Sequence, residues 1–453
     1  MNRDTIAAIS TPSGEGGIGV IRISGDEAIG ISDKVFRSLN GKKIADIEGY
    51  SALYGGVYCG EQKIDEAVAL LFRNPKSYTG EDVVEISVHG GNYVLKETLR
   101  TVLDLGARPA DGGEFTRRAY LNGKLDLIEA EAVMNIISAN GMKAQRSALS
   151  LLGGAASNKI NSIRESLLTA AAGLAVYSDY PDDELPEFSP ETLNAALCNA
   201  KTQLEELLNS YDAGKILREG VNAVIAGKPN VGKSTLMNLL SGCRRSIVTS
   251  VAGTTRDVVE DSVTLGDILI HLSDTAGLRN TTDEVEKIGV EISKEKIESA
   301  GLVIAVFDGS IPEDKQDMEL IEICKNRPAI AIVNKSDLPQ QFNLSSLEGI
   351  PYVVISAESN DSLTTLTEII TTVCGLNKLD GNDVVLGSER QRNCCVSALK
   401  YISEASDLLN SGYTLDTVGI CIDDAMNELL SLTGERVTNA VVDEVFKKFC
   451  VGK

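Results

Sequence analysis

The chain has 453 residues, a net charge of −22 and a pI of about 4.6. This length predicts roughly three domains at about 150 residues each, and the acidic balance argues against a protein that coats nucleic acid electrostatically. The nine cysteines contain no CxxC pair, and there is no signal-like N-terminus and no apolar run of membrane-span length. Reduced thiols, a cytoplasmic location and no membrane span are therefore expected. With only two histidines, a zinc site is not expected either.

Residues 1 to about 120 alternate apolar runs (Ile18 to Ile23, Ala67 to Phe72, Val83 to Val88) with glycine turns and a helical stretch, Tyr93 to Leu105. They read as a mixed α/β domain. Gly14-Glu15-Gly16-Gly17-Ile18-Gly19 satisfies GxGxxG, but the strand-like run Val20 to Ser24 follows it where a dinucleotide fold needs a helix. A glycine loop between two strands is the expectation. His89-Gly90-Gly91 lacks the GxSxG elbow that an oxyanion loop would accompany. From Lys124 to about Tyr180 the apolar spacing is helical, Pro181, Pro186 and Pro190 interrupt it among acidic residues, and Thr192 to Leu217 resumes it.

A nucleotide-binding domain is expected over about 220 to 377. Gly227-Lys228-Pro229-Asn230-Val231-Gly232-Lys233-Ser234 is a complete GxxxxGKS loop after the apolar run Val221 to Ala226. Its glycines let backbone N–H groups face phosphates, Lys233 adds charge, and Ser234, next to Thr235, can ligate Mg²⁺. Asp274-Thr275-Ala276-Gly277 follows the strand Ile268 to Leu272, placing a carboxylate near the Mg²⁺ shell and a glycine near the γ-phosphate. Asn334-Lys335-Ser336-Asp337 follows Ile330 to Val333. The Asp337 carboxylate can accept from the N1–H and exocyclic amine of guanine, which adenine cannot offer, and Ser356-Ala357 fits the guanine oxygen. Four motifs, each at a strand end, mark a GTPase.

The stretch Thr249, Ser250, Val251, Ala252, Gly253, Thr254 and Thr255 leads into Arg256-Asp257 and reads as a switch loop with a hydroxyl for Mg²⁺. Leu278 stands where many GTPases place a water-orienting Gln, so another group must serve. The amide of Asn230 can cage a monovalent cation with carbonyls from Thr249 to Val251, or it can merely brace the loop; chemistry alone leaves both open. After Gly381 amphipathic helices return over Arg390 to Leu409, Ile420 to Leu432 and Glu435 to Phe449. The nucleotide domain therefore looks inserted into a helical one.

End to end, the chain resembles the MnmE (TrmE) family of tRNA wobble-uridine modification GTPases. The residues that carry the resemblance are Thr5-Ile6-Ala7-Ala8, Thr11-Pro12, Gly16 to Gly25, Tyr78-Thr79-Gly80-Glu81-Asp82, His89-Gly90-Gly91, Gly113-Glu114-Phe115-Thr116-Arg117-Arg118-Ala119, Asn122-Gly123-Lys124-Leu125-Asp126-Leu127, the GTTRD block and Cys450-Val451-Gly452-Lys453. Glu15, where a basic residue is frequent, and Gly123 depart from the pattern.

The resemblance implies a multidomain α/β plus all-α fold. Residues 1–121 would form an N-terminal folate-binding and dimerisation domain, 122–219 and 378–453 a helical domain, and 220–377 an inserted Ras-like GTPase with a doubly wound mixed sheet. It implies folate contacts at Arg22, Glu81, Lys124 and Lys453, K⁺ at Asn230, Thr249, Val251 and Thr254, and Mg²⁺ at Ser234 and Thr255. Glu286 would position the attacking water, so Glu286 and Lys233 are the expected catalytic groups. Cys450 is a candidate nucleophile for uridine addition, but no adjacent histidine or evident helix N-terminus activates it, and a part in the folate-site architecture is the preferred expectation. The implied partners are a second copy of the chain, tRNA, and the flavoprotein MnmG (GidA), which brings FAD and NADH and completes a heterotetramer. The implied one-carbon source is 5-formyltetrahydrofolate or 5,10-methylenetetrahydrofolate. A ribosome-assembly GTPase is the alternative of another class; it explains the nucleotide motifs but not Arg22, Glu81 or the terminal CVGK. A dynamin-like membrane GTPase lacks any basic or apolar insertion segment.

Overall fold

The computed structural model describes residues 4–179, 190–241, 261–273, 297, 300–359, 362–378, 384–447 and 449–453. Its elements fall into two sheets and a set of long helices.

The first sheet contains β1 (Ile6–Ile9), β2 (Gly16–Ser24), β3 (Phe36–Ser38), β4 (Ser51–Cys59), β5 (Gln62–Phe72), β6 (Val83–Gly90) and β7 (Arg108–Pro109) in the order β3-β4-β5-β6-β2-β1-β7. Neighbours are antiparallel except β1 and β7. Of the GxGxxG segment, Gly14 and Glu15 lie between β1 and β2, whereas Gly16 to Gly19 open β2 itself, so the expected glycine loop is shorter than the motif. Strand period two then sorts the side chains of β2. Ile21 and Ile23 are buried against α1 (Ala28–Val35) and α2 (Asn92–Asp104), in one cluster with Ile31, Val35, Leu95 and Val102. Arg22 and Ser24 face the other way. They pair with Ala8 and Ile6 across β1, and on that face Ile6 and Ala8 pack with Phe115 of α3 (Glu114–Leu121) and with Tyr78. One face is thus an apolar core, and the other carries charge over a small apolar floor.

Four helices follow: α4 (Leu127–Ile137), α5 (Met142–Leu152), α6 (Ala155–Asp179) and α7 (Pro190–Glu219). The second sheet comprises β8 (Val221–Ala226), β9 (Asp261–Leu265), β10 (Ile268–Ser273), β11 (Leu302–Asp308), β12 (Ala329–Asn334) and β13 (Tyr352–Val354), in the order β13-β12-β11-β8-β10-β9. Only β9 runs antiparallel to its neighbour. β11 and β12 are buried along their whole length, as expected for parallel strands covered on both faces. The accompanying helices are α8 (Lys233–Ser241), α9 (Lys315–Lys325) and α10 (Ser362–Val373). The turn between β9 and β10 holds α5, because Asp267 Oδ1 accepts the Met142 amide at 2.7 Å and so caps the α5 N-terminus.

The chain closes with α11 (Glu389–Asn410), α12 (Leu415–Thr433) and α13 (Asn439–Phe446). The last of these is shorter than the run Glu435 to Phe449 suggests. Gly434 ends α12 in the left-handed conformation at φ 91°, and Thr438 Oγ caps α13 by accepting the Val441 amide. By contact density the chain forms two compact units, residues 1–134 with 157–193 and 400–453, and residues 135–156 with 194–399. Among the described residues no helix is long and apolar enough to cross a membrane.

Gly434 tests the helix-end argument. A Cβ there would lie 2.7 Å from Leu127 Cβ and 3.0 Å from the Tyr120 ring, and the Gly434 carbonyl accepts the Tyr120 hydroxyl at 2.6 Å. Gly434→Ala should destabilise the chain by about 1–3 kcal/mol, read as a lower urea midpoint. An unchanged midpoint would show that this end tolerates a side chain.

Candidate functional site

In the second sheet, β8 lies between β11 and β10, and the GxxxxGKS loop joins its C-terminal end to α8. This is the switch point at which open α/β sheets bind ligands. Gly227 (φ 148°), Asn230 (φ 64°) and Gly232 (φ 99°) curl the backbone. A Cβ would meet the Val306 carbonyl oxygen at 2.3 Å from position 227, and Asn334 Nδ2 at 2.1 Å from position 232. Lys233 folds over the loop and donates to the carbonyls of Gly227 at 2.8 Å and Lys228 at 2.6 Å. Lys228 points away and pairs with Asp314 and Asp317 at 2.8 and 2.7 Å, which ties the loop to the N-terminus of α9. Val231 is buried, Thr235 partly so, and Asn230 and Ser234 are exposed.

Asn334 organises the side expected to face the base. It is buried, its Nδ2 donates to the Val231 carbonyl at 2.9 Å, and its Oδ1 accepts the Ala357 amide at 2.9 Å. One side chain therefore joins the phosphate loop to the Ser356-Ala357 loop. Its loss would leave a buried donor and a buried acceptor unpaired, at a cost of about 1–3 kcal/mol each. Lys335 (φ 64°) donates to Asp308 Oδ2 at 2.5 Å, while Asp337 is exposed. Burial raises the Asp308 carboxyl, but the Lys335 ammonium and the Ser310 donors outweigh it and hold it below its ordinary value. Thr249, Ser250, Val251, Ala252, Gly253, Thr254, Thr255, Asp274, Thr275, Ala276, Gly277, Leu278 and Glu286 lie outside the described residues.

In the other unit, the C-terminal tail returns to the charged face of the first sheet. Val451 bridges Gly112, the Cys450 carbonyl accepts the Gly113 amide at 3.2 Å, and the Lys453 carbonyl accepts the Phe115 amide at 3.2 Å. Gly452 makes the turn at φ 94°, where a Cβ would stand 2.5 Å from the Ile9 carbonyl oxygen. Its own carbonyl accepts Ser10 Oγ at 3.1 Å and Arg22 Nη1 at 3.2 Å. Arg22 Nε donates to Glu85 at 2.8 Å, and the guanidinium lies 5.3 and 5.5 Å from the Tyr78 and Phe115 ring centroids.

This arrangement leaves positive charge under-compensated. Arg22 Nη2 and the half-buried Lys453 ammonium have no ion pair or hydrogen bond among the described residues. Burial, then the nearby Arg22, push the Lys453 ammonium below its ordinary pKa, with Glu85 partly offsetting them. An anion placed between the two cations would relieve both effects.

Glu81 sits on the same face, in the loop between β5 and β6. Its Oε2 accepts Ser24 Oγ at 2.7 Å, and both its oxygens accept Arg118 Nη1 at 3.1–3.2 Å. Lys124 is exposed and donates to the Pro75 carbonyl at 3.2 Å. Its stem lies beside Gly80, so it flanks the Glu81 loop, and among the described residues no hydrogen bond or ion pair joins it to Arg22 or the tail. Cys450 presents an exposed thiol. By contrast, burial pushes the Cys324 and Cys374 thiols up to about 11 and the Cys395 thiol up to about 12. Ser24, Arg118 and Asp308 have no role assigned from sequence, because their partners lie 57, 37 and 27 positions away.

Comparison with known proteins assigns the family. The MnmE helical domain profile matches residues 127–450, and the profile of the GTP-binding protein TrmE N-terminus matches residues 5–124. The chain is 39% identical over 452 residues to the tRNA modification GTPase MnmE of Lactococcus lactis subsp. cremoris (strain SK11), covering 99% of this chain and 98% of that one. It is 38% identical over 455 residues to the protein of the same name from Clostridioides difficile (strain 630), covering 99% of each. Among solved structures, the G domain of the T. maritima FeoB iron transporter is 26% identical, with a TM-score of 0.26, over 34% of this chain and 98% of that one. With both profiles and full-length relatives in agreement, the chain belongs to the MnmE (TrmE) family of GTPases.

Proposed function

We propose that the chain is a GTP-hydrolysing tRNA modification enzyme. With the flavoprotein MnmG (GidA), which brings FAD and NADH, it adds an aminomethyl or carboxymethylaminomethyl group to C5 of the wobble uridine of certain tRNAs. The observation that carries this reading is the tail Cys450 to Lys453 seated on Arg22, at the face that also bears Glu81. A regulatory GTPase of ribosome assembly has no use for such a built cationic seat. Residues 1–121 would serve folate binding and dimerisation, 122–219 and 378–453 the helical domain, and 220–377 GTP hydrolysis in the cytoplasm.

The residues fit the groups implied. Arg22 Nη2 and Lys453 suit the glutamate carboxylates of a folate, Glu81 suits the N–H donors of its pterin ring, and Lys124 flanks that end. The folate, as 5-formyltetrahydrofolate or 5,10-methylenetetrahydrofolate, supplies one carbon. Cys450, exposed beside this seat, serves its architecture rather than covalent catalysis. In the nucleotide domain Lys233 and the loop amides hold the phosphates, and Asp337, Ser356 and Ala357 read guanine. Ser234 and Thr255 hold Mg²⁺, and Glu286 positions the attacking water. Asn230, with Thr249, Val251 and Thr254, holds K⁺ where an arginine finger would otherwise act.

Two outcomes test this. GTP turnover should be faster in K⁺ than in Na⁺ by at least about tenfold, a small part of the roughly 10³–10⁵ an arginine finger supplies, and Asn230→Ala should erase the difference. Equal rates in both salts would contradict the cation role. Deleting Cys450 to Lys453 should abolish tRNA modification and weaken 5-formyltetrahydrofolate binding by roughly 30–100-fold, the worth of a lost charge-assisted contact, with intrinsic GTP hydrolysis nearly intact. Calorimetry and a GTPase assay read both. Unchanged folate affinity would remove the tail from the site.

A further inference from the structure

The Glu81 carboxylate is held by two side chains, and the stronger of them has no role in the reading above. Arg118, on α3, is only 11% exposed. Its Nη1 donates to Glu81 Oε1 and Oε2 at 3.2 and 3.1 Å and to the Asp4 carbonyl at 2.8 Å. Its Nη2 donates to Asp4 Oδ1 at 2.7 Å and to Glu114 Oε1 at 3.2 Å. Asp4 and Glu114 have a second cation, since Arg108 pairs with them at 2.8 and 2.6 Å. Glu81 has no second cation among the described residues. The carboxylate that depends on Arg118 alone is therefore Glu81.

The remaining contact of Glu81 fixes its rotation. Ser24 Oγ donates to Oε2 at 2.7 Å and lies 2.7 Å from Thr79 Oγ1, so β2 and the loop hold the carboxylate from one side while α3 holds it from another. Oε2 is the more heavily used oxygen, and Oε1 keeps accepting capacity. Glu81 also lines a polar cleft of about 590 Å³, together with Asn74, Gly80, Asn122 and Arg118. A free glutamate side chain has several rotamers, and accepting two N–H groups from one planar ring edge requires one of them.

We propose that Arg118 is a positioning residue of the folate site: with Ser24 it locks the Glu81 carboxylate so that it meets the donor edge of a pterin-like heterocycle in this cleft. The proposal rests on the folate reading above. It predicts that Arg118 acts on ligand affinity only through Glu81, whereas a structural role would weaken binding whether or not Glu81 is present.

The test is a double-mutant cycle on the full chain, with 5-formyltetrahydrofolate as the probe in calorimetry and thermal unfolding recorded alongside. Glu81→Gln and Arg118→Gln should each weaken binding by roughly 10–100-fold, and the double variant should bind no more weakly than Glu81→Gln alone. Arg118→Lys should recover part of the loss. Additive losses in the double variant, or wild-type affinity in Arg118→Gln when Glu81→Gln is weak, would overturn the positioning role alone. Wild-type affinity in Glu81→Gln would overturn the folate reading of this cleft, and the proposal with it. Should Arg118→Gln unfold at the assay temperature, Ser24→Ala, which releases the same carboxylate, carries the test with the same expected non-additivity.

Discussion

The carbonyl of Gly452 is the point on which the N-terminal site depends. It accepts hydrogen bonds from Ser10 and from Arg22, and it can do so only because residue 452 adopts a positive φ with no side chain to strike Ile9. Ordering the tail costs on the order of 1–2 kcal/mol per residue in backbone entropy, which the pairings to Gly113 and Phe115 and the burial of Lys453 must offset. Because Arg22 is then committed to Glu85 and Gly452 through two of its nitrogens, the direction of its third is fixed. A flexible surface arginine becomes part of a preorganised cationic seat.

The nucleotide unit rests on a comparable device. Asn334 ties the phosphate loop to the Ser356-Ala357 loop, so the parts expected to contact the two ends of a nucleotide share one buried amide. The close approach that this requires is why position 232 must be glycine. Lys335 and Asp308 add a second tie between the ends of β12 and β11. In both units a strand side chain, Arg22 or Asn334, bonds to the backbone of a distant segment, and glycine supplies the room.

How much of this could be read from the chain depended on how local each requirement is. The phosphate loop and the Asn334 motif were legible because each places fixed residue types at the end of a largely buried strand, and Ser356-Ala357 because it follows the apolar run ending at Ile355; β8, β12 and β13 lie where the apolar runs indicate. The glycine segment before Val20 was legible only in part, since Gly14 and Glu15 connect the strands but Gly16 to Gly19 already belong to β2, where Gly16 and Gly19 pair with β6. β4 was not, since Gly55 and Gly56 interrupt its alternation; at Gly55 the backbone of β3 comes so close that a Cβ would meet the Arg37 carbonyl oxygen. The apolar spacing continues past Phe446, whereas α13 ends there because the chain turns to reach Gly112. Arg118 was visible only as one letter of a motif, its meaning lying in carboxylates brought from positions 4, 81 and 114.

The claim that the tail completes the N-terminal site can be tested at the amides that bond to it. Hydrogen exchange at Gly113 and Phe115, whose N–H groups donate to Cys450 and Lys453, should be slow in the native chain and faster by at least about tenfold in Gly452→Ala, where the added Cβ forces the tail away. Adding 5-formyltetrahydrofolate should slow exchange further at these amides in the native chain and have little effect in the variant. Equal protection of both amides in the two proteins, with folate acting alike on each, would contradict the account.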